Sequence, residues 1–140
     1  MCGRTSLFAA LADVEETFDA RLVADGGSAS HASGASPERG SGGRYRPRYN
    51  IAPGDPLEVV TNEAPDAIDR FRWGLLPPWA DEGDEGFINA RSETAAEKRS
   101  FADAWESRPC LVLSSGFYEW QETNGGPKRP YRVYREDAPA

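Results

Sequence analysis

Apolar residues fall at helical spacing near the start of the chain and at shorter, alternating spacing through much of the rest. Leu11, Val14, Phe18 and Leu22 lie three or four apart, which predicts an amphipathic helix from Asp13 to Val23. Ahead of it, Gly3 to Phe8 reads as a short strand leading position 2 inward. The pattern then stops. Asp25 to Gly43 is almost entirely Gly, Ser, Ala and polar residues, which bury too little to offset the entropy of ordering. It reads as a flexible, low-complexity surface insertion, and it contains the one histidine, His31.

Order returns at Arg48-Tyr49-Asn50-Ile51-Ala52-Pro53. Leu57 to Thr61 is a β-branched run and a predicted strand; Asp69 to Leu75 is another, with Phe71 and Trp73 on one face, ended by Pro77-Pro78. Asp81 to Gly86 is an acidic loop, and Ser92 with Glu93 opens a helical stretch to Lys98. Ser100 is placed to cap a further helical turn whose Phe101, Ala104 and Trp105 face the core. Cys110 to Ser114 and Phe117 to Gln121 are predicted strands around a Ser115-Gly116 turn. Asn124-Gly125-Gly126-Pro127 then turns the chain into a returning strand, Tyr131 to Tyr134. Short strands with interspersed helices predict an α+β fold, mostly antiparallel or mixed sheet. Trp105, Trp120, Phe101 and Phe117 are assigned to its core, and Cys110, after Pro109 at the head of an apolar run, to an inert buried thiol.

Composition narrows the function classes. A chain of 140 residues is expected to form one domain, residues 1–140. No run of 18 apolar residues suggests a membrane span, and the N-terminal segment lacks a charged-then-apolar signal pattern, so cytoplasmic residence is expected; a monomer is expected as well. Two cysteines and one histidine argue against a structural metal, and no cofactor motif is present. The net charge of −7 argues at first against nucleic acid. The distribution qualifies that, because fourteen of the sixteen basic residues are arginine, and Arg44, Arg46 and Arg48 alternate with Tyr45 and Pro47. Local fields, not net charge, decide where a polyanion docks.

The cysteine at position 2 carries the most specific chemistry. Removal of Met1 would leave Cys2 with both a free α-amine and a thiol. The amine can attack an aldehyde to give an imine, and the thiol can close a thiazolidine ring on the imine carbon. An α-amine titrates near ~7.7–8.0, so a useful fraction is neutral at pH 7. The thiol is intrinsically very nucleophilic. Amine and thiol on one carbon also supply proximity in advance.

Five segments stand in order: Met1-Cys2-Gly3-Arg4, Arg48-Tyr49-Asn50-Ile51-Ala52-Pro53, Trp73-Gly74-Leu75-Leu76-Pro77-Pro78-Trp79, Asn89-Ala90-Arg91-Ser92-Glu93-Thr94 and Gly116-Phe117-Tyr118-Glu119-Trp120. Together they resemble the SOS response-associated peptidase (SRAP) family of abasic-site processing proteins, over residues 1 to about 135. The resemblance implies an SRAP-like, partly barrel-like sheet. It implies single-stranded DNA containing abasic sites as partner, nucleoid association during DNA damage, and capture of the open-chain sugar aldehyde by Cys2 as a thiazolidine crosslink. Self-removal of Met1 and a lyase-like activity through the imine are also implied.

Each implied role has a plainer alternative. Glu119 lies among Phe117, Tyr118 and Trp120. Partial burial there would raise its pKa and suit it to proton transfer; otherwise it is an outward carboxylate on an alternating strand. Asn89 can donate and accept at once, orienting the Cys2 amine or a sugar oxygen, or can cap a turn. Arg91 and Arg4 each offer a fork for phosphate, or a surface ion pair such as Arg91 with Glu93. Asn50 and Pro53 match the segment lining the cysteine pocket, or only shape a turn. Trp73, Trp79 and Tyr49 suit base stacking, which tolerates any sequence, and Trp73 equally suits the core. Lys128 and Arg129 suit a phosphate contact or a blunted hairpin edge.

The family pattern continues with a His-x-Arg-Met-Pro motif that this sequence lacks. His31 cannot stand in, because its glycine- and serine-rich surroundings do not hold it in place. The chain is therefore expected to be incomplete at its C-terminus, with exposed edges and impaired catalysis. A non-catalytic single-stranded DNA-binding module and an inactive relic remain as alternatives.

Overall fold

The structure is a computed structural model that describes residues 3–23, 44–81, 83 and 86–136. Cys2 and the whole predicted insertion, residues 25–43 with His31, lie outside the described residues. The described chain forms eight strands and three short helices, in two four-stranded sheets. This is the α+β architecture that the residue pattern predicts.

The first sheet has the order β3-β1-β7-β8, from Arg48–Ile51, Arg4–Leu7, Gly116–Gln121 and Arg129–Val133, antiparallel throughout. The second has the order β2-β5-β4-β6, from Arg21–Leu22, Ala67–Arg72, Pro56–Thr61 and Cys110–Val112. Its β2–β5 pair is parallel and the rest antiparallel. Leu7 and Ile51 of the first sheet and Leu57, Val59, Val60 and Ile68 of the second share one apolar cluster with Val14 and Leu113. The core is therefore drawn from both sheets. The chain crosses between them at 113–115, where the Leu113 N–H donates to the Glu58 carbonyl (3.0 Å) and the Ser115 N–H to the Ser6 carbonyl (2.8 Å).

Several expectations are corrected. The first helix, α1, runs Leu11–Phe18 and stops there, because Asp19 takes a left-handed conformation (φ 47°) and turns the chain. Leu22 consequently lies in β2, against Ile68, and not on the helix. Helical spacing cannot see such a reversal, since a buried strand residue satisfies the same apolar period. The helical stretch from Ser92 is one turn, α2 (Ser92–Ala95). The next helix, α3 (Ala102–Ser107), is preceded by Phe101 as N-cap with no side-chain cap bond, so Ser100 does not cap it.

Trp105, Trp120 and Phe117 are not core residues: they are 56%, 40% and 36% exposed. Phe101 is half-buried, edge-on to Phe87. Phe117 and Trp120 are three apart on β7 and so point to opposite faces of the sheet, and one core cannot bury both. Phe117 pairs with Val133 and with Thr5, and Thr5 pairs with Ile51, so Phe117, Val133 and Tyr131 continue the face that carries the core, yet they stay partly exposed over β7 and β8. Cys110 is also exposed, at the head of β6. Packing around its sulfur still pushes the thiol pKa up.

Glu58 is a charged residue that the fold buries, at 2% exposed in the middle of β4. Arg48 from the first sheet reaches one carboxylate oxygen (2.6 Å), and Arg70 from β5 reaches the other (3.1 Å). Beside them, burial first and the Glu58 carboxylate second push the Tyr45 phenol above its ordinary range. Its hydroxyl donates to the Ala9 carbonyl at 2.6 Å.

Candidate functional site

The site is built around the starting end of β1. Arg4 pairs with Tyr118 and Thr5 with Phe117, so the antiparallel ladder runs from Arg4 back toward Glu119. A cluster of hydroxyls holds this register. Thr5 Oγ1, Ser6 Oγ and Ser114 Oγ all donate to the Gly116 carbonyl, at 3.0, 3.1 and 3.0 Å. Ser6 is fully buried. Buried hydroxyls are costly unless bonded, so this arrangement tolerates no slip of β1 along β7.

The Arg4 guanidinium donates to the Asn50 side-chain oxygen at 2.7 Å, tying β1 to β3. Neither alternative for Arg4 had anticipated this bond to a neutral carboxamide. Tyr118 donates its hydroxyl to the Tyr49 carbonyl (2.9 Å), closing the strip β7–β1–β3 from above. After β3, the Ala52 N–H donates to Asp55 Oδ2 (2.8 Å), and the Gly54 N–H to the Trp73 carbonyl (2.9 Å). The turn containing Pro53 is thereby fastened to Trp73. Gly54 is left-handed there (φ 89°), which a residue with a side chain rarely adopts.

Trp73 carries the connection onward. It packs half-buried against the core, and its indole N–H donates to the Ile88 carbonyl at 3.0 Å. A Leu75–Phe87 bridge fixes the same loop. Asn89, half-buried, follows directly. Arg4 is thus bonded to Asn50, the Pro53 turn is bonded to Trp73, and Trp73 is bonded to the residue before Asn89, while Glu119 is half-buried on β7 one residue beyond the partner of Arg4. Arg91 stands apart. Its backbone carbonyl accepts the N–H of Thr94 and Ala95, its side chain is exposed, and no ion pair joins it to Glu93 among the described residues.

Of the other aromatics, Tyr49 is 64% exposed and stacked on Phe8 (5.0 Å, 10°). Trp79 is half exposed, with the Arg99 guanidinium 4.5 Å from its ring centre. Lys128 pairs with Glu122 at 2.6 Å. Sequence reasoning missed the hydroxyls of Thr5, Ser6, Ser114 and Tyr118. No periodicity marks them, since Thr and Ser in a strand read as surface until the partner strand is known.

Among the described residues no group of three or more His, Cys, Asp or Glu could hold a metal ion. No described helix is long and apolar enough to cross a membrane.

The fold and the site together define a class: a two-sheet α+β protein whose first strand is central, and whose leading end lies beside a half-buried glutamate and a carboxamide. The chain belongs to the SOS response associated peptidase (SRAP) family, whose profile matches residues 1–140. It is 35% identical over 136 residues to the abasic site processing protein YoqW of Bacillus subtilis, covering 95% of this chain and 54% of that one. It is 37% identical over 107 residues to the abasic site processing protein HMCES of Gallus gallus, covering 66% and 32%. In fold it is similar to a crystal structure from Bacteroides thetaiotaomicron, with a TM-score of 0.73, 24% identity and coverage of 97% and 55%. The chain therefore spans about half the length of the Bacillus relative it matches.

Proposed function

We propose that this chain acts in the response to abasic DNA damage, binding single-stranded DNA at abasic sites and capturing the sugar aldehyde with Cys2. The α-amine, freed by loss of Met1, adds to the aldehyde carbon and water leaves, giving an imine. The thiol then adds to the same carbon as the nitrogen takes up a proton. The product is a thiazolidine, and the balance is aldehyde plus aminothiol to ring plus one water.

Glu119 is the residue assigned to carry protons between amine, hydroxyl and leaving water; Asn89 orients the amine or a sugar oxygen. Arg4, held by Asn50, and Arg91 take backbone phosphates, while Trp73 and the Pro53 turn wall the cleft. The observation that carries this reading is the β1–β7 register, locked by the hydroxyls on Gly116, which directs the leading end of β1 toward Glu119. The names of the relatives supply the substrate class. Of the acid–base pair that the family resemblance implies, residues 1–140 carry the glutamate.

A denaturing gel with single-stranded abasic DNA tests the proposal. The parent chain should give a stable crosslink. Cys2→Ala, which keeps an α-amine and loses the thiol, should give a species only after borohydride reduction of its imine. Full crosslinking by Cys2→Ala overturns the mechanism. Binding without any covalent species leaves a non-catalytic DNA-binding module.

A further inference from the structure

Away from the leading end of β1, a cavity of about 160 Å³ is lined by Arg44, Arg46, Arg48, Arg70, Pro56 and Glu58. Four guanidiniums face one carboxylate, in a protein of net charge −7. Glu58 is 2% exposed and spends one oxygen on Arg48 (2.6 Å) and the other on Arg70 (3.1 Å). It fixes two guanidiniums in place. Arg44 and Arg46 are exposed and form no ion pair among the described residues. Tyr45 between them is buried and anchored to Ala9. The two-residue spacing of Arg44, Arg46 and Arg48 suits an extended segment that turns them all to one side, and all three line the cavity. A cluster of planar forks on a rigid base is matched by the oxygens of a phosphate group.

We propose that Arg44, Arg46, Arg48 and Arg70, set around buried Glu58, form a phosphate-binding site separate from the Cys2 chemistry, and that it holds a backbone phosphate of the bound DNA strand. The second half of this rests on the DNA reading above. Geometry supports the spacing. Arg48 is paired with Leu7, at the opposite end of β1 from Arg4. Three residues of strand separate the two ends by roughly 10 Å, or roughly three stacked nucleotides. A strand with its damaged sugar at the leading end of β1 would bring an undamaged phosphate to the pocket.

The test uses the full chain, an oligothymidylate without any abasic site, and inorganic pyrophosphate. In Arg44→Gln/Arg46→Gln, the slope of log affinity for the oligonucleotide against log salt should become shallower by about 0.7, the value of one phosphate contact on a single strand. Arg46→Gln alone should change it by about half as much and guards against a folding defect in the double variant. Pyrophosphate should raise the melting temperature of the parent and leave that of the double variant unchanged. A pyrophosphate shift lost in the variant with an unaltered oligonucleotide slope keeps the site and assigns it to a free phosphate compound. An unaltered slope together with no pyrophosphate effect overturns it. Neither arm reads crosslinking, so failure of the Cys2 mechanism and failure of this site are separately visible.

Discussion

At Gly116 the lack of a side chain is what lets β7 begin against β8. A Cβ built there would lie 2.7 Å from the Val133 carbonyl oxygen and 3.1 Å from the Tyr134 Cβ, at a φ of +154°. Gly116→Ala should therefore destabilise the protein by about 1–3 kcal/mol through overpacking, read as a lower urea midpoint. It should also slow crosslinking, because the Gly116 carbonyl is the acceptor that fixes β1. Cys110 makes a contrasting case. It is exposed, yet desolvation raises its pKa, so at pH 8 less of it is thiolate than in an ordinary cysteine. Mapping alkylation by mass spectrometry should show Cys110 reacting several-fold more slowly in the folded chain than in urea. Equal rates would refute the desolvation. Its sequence context suggested a buried residue, because an apolar run reports a strand and not whether anything covers it.

Among the elements, α1 and β2 are joined by one carboxylate. Glu15 accepts the Leu22 N–H at 3.0 Å and a contact from Arg21 at 3.1 Å. The backbone bond, more than the arginine, lowers its pKa. A carboxylate depressed in the folded state contributes stability above its unfolded pKa and loses it as pH falls through the folded value. The parent should thus lose stability on acidification below about pH 4.3, and Glu15→Gln should flatten that part of the profile in melts across pH. Helical spacing led to one long helix here. The left-handed Asp19 and the parallel pairing of β2 with β5 are both invisible to it, and the pairing is with residues more than forty positions away.

The whole molecule depends on contacts between its sheets. Arg48 of the first sheet and Arg70 of the second meet on Glu58, so a buried charge joins the two layers beside their shared apolar cluster. Glu58→Ala would take from Arg48 and Arg70 the buried carboxylate they share and should cost about 3 kcal/mol, measured by denaturant unfolding. That is a large share of the ~5–15 kcal/mol typical of a domain. A cost below 1 kcal/mol would mean that solvent screens the triad.

The amino-acid pattern alone determined the chemical inventory: a cysteine at position 2, five family segments in order, an alternating arginine run, and most strands of an α+β fold. These are local properties, carried by residue identity and by periods of two and of three to four. Only the tertiary structure decided that Arg4 rests on Asn50, that the Pro53 turn is tied through Trp73 to the loop bearing Asn89, and that Arg44, Arg46 and Arg48 gather over Glu58. It also left Trp105, Trp120 and Phe117 exposed where the pattern placed them inside. Periodicity states which face of an element is apolar; the partner that meets that face comes from distant chain, and register between strands is set by packing and hydrogen bonding that no local window contains.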